Sequence, residues 1–136
     1  MALVIDASIA AAWAFAEEHL NAEMTFAQLA TQEALVPALW WYELRNVLIV
    51  GERRGRLTEQ ETARFLRDLS RLAITVDRTP NEHDVLTLAR RHRLTVYDAA
   101  YLELALREAA ALATLDEPLA SAARSEGVAL VGHATG

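Results

Sequence analysis

Four acidic residues lie at positions where a carboxylate could do chemistry. Asp6 directly follows the apolar run 2–5, and Asp116 follows the run 111–114 by two residues. Both runs are typical of short buried strands, and ligands of α/β folds bind at the carboxyl ends of such strands. Asp98 lies at the predicted start of a helix, which is often at the same edge of the sheet. These three carboxylates could therefore meet at one site.

Glu43 lies within a long predicted helix, and its surroundings are apolar. The neighbours within two turns on the same face are Leu39, Trp40, Val47 and Val50. An unpaired carboxylate is costly to bury, so Glu43 either lies at the rim of the buried face or needs a partner, which could be Arg45, Arg54 or a metal ion. Asn46 lies about one turn further along the same side and could orient the Glu43 carboxylate.

Each acid also has a local explanation. Asp6 and Asp116 can serve as turn or cap residues, and Thr95 with Asp98 can form a capping box. Convergence of all four acids would have a different consequence, because two charges ~4 Å apart repel by about 4 kcal/mol at an effective dielectric of 20. Such a cluster requires cations, and oxygen ligands without His or Cys favour Mg²⁺ or Mn²⁺. These ions activate water and stabilise charge on a phosphoryl group.

The placement of the acids depends on a predicted alternation of strands and helices. Helices lie between five predicted strands, at residues 2–5, 34–37, 73–76, 111–114 and 128–131. Ser8 is the predicted N-cap of the first helix, and Thr58 with Glu61 forms a capping box later in the chain. Short buried strands that alternate with helices indicate an α/β fold, with a central parallel sheet of about five short strands flanked by helices.

Length and composition restrict the possible functions. The chain has 136 residues, 53% of them hydrophobic, which predicts one domain over residues 1–136. It has no Cys, and all 13 basic residues are Arg. Disulfides, thiol chemistry and lysine-dependent phosphoryl transfer are therefore excluded. We find no leader-like or membrane-spanning stretch, so we expect a cytoplasmic protein with no membrane partner.

The charge balance and the arginine pattern favour different partners. The net charge of −6, taken alone, argues against binding to nucleic acid. Arg53, Arg54 and Arg56, however, cluster after the long helix. They can stabilise the helix C-terminus, or they can contact phosphates beside the acidic site.

Three consecutive aromatic residues occupy positions 40–42 of the long helix. Consecutive helical residues point about 100° apart, so Trp40, Trp41 and Tyr42 cannot all lie on one narrow face. We expect at least one of them to be exposed, and an exposed apolar patch would mark a surface for a second copy or a partner helix.

Five short motifs are spread over nearly the whole chain. They are V-I-D-A-S (4–8), E-L-R-N (43–46), E-R-R-G-R-L-T (52–58), Y-D-A-A-Y-L-E-L-A (97–105) and A-T-L-D-E-P-L (113–119). In this order and spacing they resemble the motifs of PIN-domain ribonucleases, and specifically of the VapC-type toxins of bacterial toxin–antitoxin pairs.

The resemblance implies a single PIN-like domain with two sets of site residues, an acidic quartet around Mg²⁺ or Mn²⁺ and polar supports near the metal. The quartet is Asp6, Glu43, Asp98 and Asp116, and the supports are Ser8, Asn46 and Thr114. The resemblance also implies cleavage of RNA phosphodiesters, with a 3′-hydroxyl and a 5′-phosphate as products. It further implies a homodimer and inhibition by a cognate antitoxin protein.

Two other functions remain compatible with the sequence. A metal-dependent phosphatase with an Asp nucleophile is one of them, although such enzymes use a nearby Lys and this chain has none. A catalytically idle PIN-like binding module, which would use the same pocket for an arginine of a partner, is the other.

Overall fold

The chain alternates strands with helices, as predicted. A computed structural model describes residues 2–132. The strands are β1 (Ala2–Ile5), β2 (Glu33–Pro37), β3 (Ile74–Asp77) and β4 (Ala111–Ala113). The helices are α1 (Ala7–Ala14), α2 (Leu20–Gln28), α3 (Ala38–Arg53), α4 (Glu59–Leu69), α5 (Glu82–His92), α6 (Val96–Arg107) and α7 (Glu117–Ser125). The predicted domain ends, at residues 1 and 136, lie outside the described residues.

The four strands form one parallel sheet in the order β3–β2–β1–β4. β1 lies between two partners, because Val4 is paired with Leu35 of β2 and with Leu112 of β4. The predicted α/β fold with a central parallel sheet is therefore confirmed. The chain leaves β1 in one direction to β2 and β3 and returns on its other side to β4, and open α/β sheets bind ligands at such a switch point.

The prediction of a fifth strand at residues 128–131 is wrong, because the sheet in residues 2–132 has four strands. Leu130 forms only an isolated parallel bridge with Leu112 of β4. The backbone turns at Val131 and Gly132, where Gly132 has a φ of +80°. The segment therefore leaves the sheet after one bridge, and the sheet has four strands rather than about five.

Strand β1 is enclosed on both faces. Leu3, Val4 and Ile5 are fully buried, as expected for a parallel strand that has helices on either side. Helix α6 packs against β1, β2 and β4, and α1 packs against α3. A strand enclosed in this way can present a polar side chain only beyond its end. Asp6 is the first residue at that carboxyl edge.

Polar side chains begin several of the helices. The capping box of Thr58 and Glu61 is confirmed at the start of α4. The N-cap of α1, however, is Asp6 and not Ser8, because an Asp6 carboxylate oxygen accepts from the backbone N–H of Ile9 at 3.2 Å. Ser8 lies inside the first turn of α1, where its hydroxyl turns back to Asp6. None of the helices in residues 2–132 is both long enough and apolar enough to cross a membrane.

Arg107, at the end of α6, ties the edge strand β3 to that helix. It donates to both carboxylate oxygens of Asp77, at 2.7 and 3.1 Å, and to both of Glu103, at 2.8 and 3.1 Å. Glu103 is only 3% exposed, and it also accepts from the backbone N–H of Asn81 at 3.0 Å. Hydrogen bonds from Arg107 hold the pKa of Asp77 below its usual value. The buried charge of Glu103 is thus compensated by one arginine.

Replacement of this arginine should be costly. We expect Arg107→Ala to lower the free energy of unfolding by roughly 3 kcal/mol, because Glu103 would remain buried without its cation. Adding Glu103→Gln should recover part of the loss. Urea unfolding measures both effects, with Arg124→Ala as the control, since Arg124 forms an exposed ion pair with Glu117. Equal effects of Arg107→Ala and Arg124→Ala would contradict this role.

Candidate metal centre

Asp6 is a buried carboxylate whose two oxygens are both hydrogen-bonded. Its side chain caps α1, and the residue is 6% exposed. Oδ1 accepts from the Ser8 hydroxyl at 2.5 Å and from the N–H of Ile9. Oδ2 accepts from the hydroxyl of Thr114, which is also buried. These contacts fix the orientation of the carboxylate at the end of β1.

Ser8 and Thr114 also hold the loop that follows β4. The Ser8 hydroxyl oxygen accepts from the N–H of Leu115 at 2.9 Å, and the Thr114 hydroxyl oxygen accepts from the N–H of Asp116 at 3.0 Å. The two hydroxyls thereby connect the carboxyl ends of the adjacent strands β1 and β4. As a consequence, Asp6 and Asp116 lie at the same carboxyl edge of the sheet.

Asp116 begins a helix and is also a candidate metal ligand. One of its carboxylate oxygens accepts from the N–H of Leu119 at 3.0 Å, so it is the N-cap of α7. The next acid, Glu117, is exposed and forms an ion pair with Arg124 at 2.5 Å. The capping explanation of Asp6 and Asp116 is therefore correct, and it coexists with their position at the carboxyl edge.

Glu43 lies half-buried on α3 and is hydrogen-bonded to α6. The Tyr101 hydroxyl donates to Glu43 Oε1 at 2.5 Å, and Tyr101 is only 1% exposed. No arginine of the described chain forms an ion pair with Glu43: Arg45 lies over the Trp41 ring, 4.2 Å from its centroid, and Arg54 is exposed. The alternative explanation by an arginine partner is therefore wrong within these residues.

Electrostatic coupling joins the four acids. Burial raises the pKa of Asp6 from 3.8 to about 6, and the charge of Asp116 adds to the increase. Burial raises the pKa of Glu43, with a further contribution from Asp98, and it raises the pKa of Asp98, with a further contribution from Asp116. Burial also raises the pKa of Tyr101, as do its hydrogen bond to Glu43 and the charges of Asp6 and Asp98. Glu43, Asp6 and Asp98 thus lie around this tyrosine, and Asp116 is coupled to Asp6 and Asp98.

The remaining predicted site residues do not join this cluster. Asn46 is exposed and makes no hydrogen bond to Glu43. Arg53 lies ten residues beyond Glu43, about 15 Å along the helix. Arg53 and Arg54 are exposed, and Arg56 is in contact with Glu17 at 3.4 Å and with the Phe15 ring. These arginines flank the far end of α3 rather than the acids.

Comparison with known proteins places this arrangement in a family. A profile of the PIN domain matches residues 3–125, which is most of the chain. This chain belongs to the PIN-domain family. Ribonuclease VapC3 of Pyrobaculum aerophilum is 40% identical over 124 residues, covering 88% of this chain and 93% of that protein. The crystal structure of PAE2754 from the same organism has a TM-score of 0.66 at 28% identity, covering 90% of this chain and 87% of that one. The VapC-type PIN resemblance indicated by the five motifs is thereby confirmed.

The chemistry of the donor set in this PIN domain fits a divalent cation. All its candidate ligands are oxygens, which Mg²⁺ and Mn²⁺ prefer. Three of the carboxylates have raised pKa values, and no arginine is among the groups that shift them. Within residues 2–132, no three His, Cys, Asp or Glu side chains are arranged to hold a metal ion as they stand. The site is thus a carboxylate cluster that lacks positive charge, and its ligand set remains a prediction.

Tyr101 is the residue of the PIN site that sequence reasoning missed. It lies three positions after Asp98 in the motif Y-D-A-A-Y, and it passes for an ordinary core aromatic of a buried helix. The signal that could have found it is spacing, since residues three apart on a helix share a face. Its hydroxyl is the group that links α6 to Glu43.

The raised pKa of Asp6 predicts a dependence of stability on pH in the absence of metal. The folded chain retains the Asp6 proton at pH values where the unfolded chain has lost it. Stability from this source is therefore full below pH 3.8 and is lost as pH rises through about 6. The loss should be about 3 kcal/mol.

Urea unfolding in EDTA between pH 4 and 7 measures this effect. We expect Asp6→Asn to lose less stability over this range than the unsubstituted chain, because Asn cannot ionise. Asp84→Asn, at an exposed position, should behave like the unsubstituted chain. Identical pH profiles for the chain and Asp6→Asn would show that Asp6 does not titrate in this way.

The Tyr101 hydrogen bond predicts an effect on metal affinity. Tyr101→Phe removes the donor that favours the ionised form of Glu43, so Mn²⁺ binding should weaken on the order of tenfold. The loss should become smaller as pH rises, because Glu43 then ionises more fully even without the Tyr101 donor. Calorimetric titration with Mn²⁺ tests this, with Tyr42→Phe on the exposed side of α3 as the matched control. Equal affinities for the two variants would refute the role given to Tyr101.

Proposed function

We propose that this chain is an endoribonuclease that cleaves RNA phosphodiesters with the aid of Mg²⁺ or Mn²⁺. We further propose that it acts in the cytoplasm as the toxin of a type II toxin–antitoxin pair. The observation that carries the proposal is the electrostatic coupling of Asp6, Glu43, Asp98 and Asp116 at one edge of a PIN domain. Similarity to a protein named Ribonuclease VapC3 supports the choice of RNA as substrate.

Asp6, Glu43 and Asp98 would hold the ion directly or through water, and Asp116 would complete the pocket. The chemistry that a bound divalent ion supplies is activation of water and stabilisation of charge on a phosphoryl group. In the overall reaction an oxygen of water bonds to phosphorus and the bond from phosphorus to the 3′-oxygen breaks. The 3′-oxygen takes a proton, which leaves a 3′-hydroxyl and a 5′-phosphate.

The protein's own contribution is to orient the carboxylates before substrate arrives. Ser8 and Thr114 hold the two oxygens of Asp6, so this carboxylate has little rotational freedom. Tyr101 holds one oxygen of Glu43 and leaves the other without a hydrogen bond from the described residues. Groups that are preorganised in this way need not be ordered when the substrate binds.

Arginines would bind RNA phosphates away from the cleavage point. Arg53 and Arg54 form no ion pair within residues 2–132, so their charges are available to a ligand. Their distance from Glu43, about 15 Å of helix, places them roughly two nucleotides from a phosphate at the carboxylates. Arg56 would have to leave Glu17 in order to take part.

Partner proteins would use the exposed side of α3. Trp40 is buried, whereas Trp41 and Tyr42 are 47% and 70% exposed, as the predicted crowding of residues 40–42 requires. Ile49 continues this surface and is also exposed. We propose that these apolar side chains are covered by a second copy of the chain or by the antitoxin.

Cleavage of a labelled single-stranded RNA tests the proposed function. We expect product with Mg²⁺ or Mn²⁺, none in EDTA, and a loss of at least about a hundredfold in Asp6→Asn. Asp84→Asn serves as the control for loss of one exposed carboxylate. The new ends should carry a 5′-phosphate, and mapping of 5′ ends after brief induction in a host cell would locate the target.

Three results would contradict the proposal. Cleavage that survives both EDTA and Asp6→Asn would exclude the metal mechanism. Absence of Mn²⁺ binding at millimolar concentration would favour the idle binding module. Hydrolysis of a phosphate monoester without cleavage of RNA would favour the phosphatase.

A further inference from the structure

A cavity of about 410 Å³ opens at the carboxyl ends of β2 and β3. Pro37, the last residue of β2, and Asp77, the last of β3, lie at its base. The start of α3 forms one wall, one side of α6 forms another, and the turn after β3 forms the third. The volume lies within the range of small-ligand pockets. The cavity is on the same edge of the sheet as the carboxylate cluster.

The walls of the cavity are mainly apolar. They include Leu39 on α3, Pro80 in the turn, and Ala100 and Leu104 on α6. The two carboxylates that border the cavity, Asp77 and Glu103, share the single positive charge of Arg107, so one negative charge remains among these three side chains. The apolar walls make the cavity suitable for a flat, uncharged part of a ligand rather than for an ion.

Arg78 supplies a cation at the rim of this cavity. It lies in the exposed turn after β3 and has no ion-pair partner among the described residues. A guanidinium group that is free of protein carboxylates can bind a phosphate through parallel hydrogen bonds. Apolar walls with a free cation at the rim complement a base and its attached phosphate.

The cavity and the carboxylate cluster share two helices. Leu39 precedes Glu43 by one turn of α3, about 6 Å along the axis. On α6, Leu104 also lines the cavity and lies three residues after Tyr101, whose hydroxyl donates to Glu43. A ligand in the cavity is therefore about one helical turn from Glu43, a separation suited to one nucleotide.

We propose that this cavity receives one unpaired base of the RNA strand whose phosphodiester lies at the carboxylates, with Arg78 bound to a neighbouring phosphate. This inference rests on the proposed ribonuclease function. A base within a duplex cannot enter a pocket of this kind, so the substrate must be single-stranded next to the cleaved bond. The cavity, rather than the carboxylates, then determines which nucleotide lies beside that bond.

Single-stranded RNAs that each lack one base test this proposal. For the unsubstituted chain, removal of the base at one position beside the cleaved bond should raise KM about tenfold, as loss of an apolar pocket contact does. Ala100→Leu fills the cavity, so it should raise KM for intact RNA by a similar factor and be insensitive to the missing base. Its kcat should change little, because the carboxylates remain in place.

Arg78→Ala provides a second variant at an exposed position, where folding is not at risk. It should weaken binding of intact RNA, measured by fluorescence anisotropy in EDTA without cleavage, and reduce the dependence of binding on salt. Arg90→Ala is the matched control for charge, and Ala63→Leu is the control for added bulk on an exposed helix. Both controls should behave like the unsubstituted chain.

The proposal fails if no missing base raises KM, or if Ala100→Leu remains as sensitive to the missing base as the unsubstituted chain. It also fails if Arg78→Ala and Arg90→Ala bind RNA equally well. Failure of the ribonuclease function has a different signature, since no RNA would then be cleaved with any metal. The anisotropy measurement in EDTA still decides between the two arginines in that case.

Discussion

The burial of the Asp6 carboxylate is the constraint on which this structure depends. A carboxylate that leaves water must find hydrogen bonds, a counter-ion or a proton. Asp6 receives hydrogen bonds from two hydroxyls and one backbone N–H, yet burial still raises its pKa to about 6. The hydrogen bonds therefore compensate only part of the desolvation. What remains is an attraction for positive charge at the end of β1, and the neighbouring carboxylates strengthen it.

The fold meets this constraint by giving the same residues two tasks. Asp6 and Asp116 begin helices α1 and α7, so their backbones are fixed by secondary structure while their side chains converge. Thr114 accepts from the backbone at Asp116 and donates to Asp6, which makes it part of both the loop and the site. Glu43 and Asp98 arrive from two helices that pack beside the sheet. Every residue of the site therefore lies in a helix, at a helix cap or in a loop that the fold already needs. For this reason a chain of 136 residues can accommodate the site.

Local features were predictable, and contacts between distant residues were not. The apolar runs located the four described strands, and the interruption of the apolar face of α3 identified Glu43 as unusual. Residue type predicts Ser8 as the cap of α1, but the carboxylate of Asp6, two residues earlier, accepts from the N–H of Ile9. The bonds from Tyr101 to Glu43 and from Thr114 to Asp6 span 58 and 108 positions. The periodicity of apolar residues carries no information about such pairs. The prediction of a fifth strand was wrong because the backbone turns at Val131, although the segment is apolar.

The position of β1 has a consequence for the order in which the chain can fold during synthesis. This strand is synthesised well before its neighbour β4, and the hydroxyl of Thr114 follows Asp6 by 108 positions. Domains fold as units during translation, and contacts of large sequence separation form late. A nascent chain that ends before residue 114 lacks the carboxylate of Asp116 and leaves Asp6 without its hydrogen bond from Thr114. Any activity of the cluster is therefore delayed until Asp116 has been synthesised and α7 can form behind it.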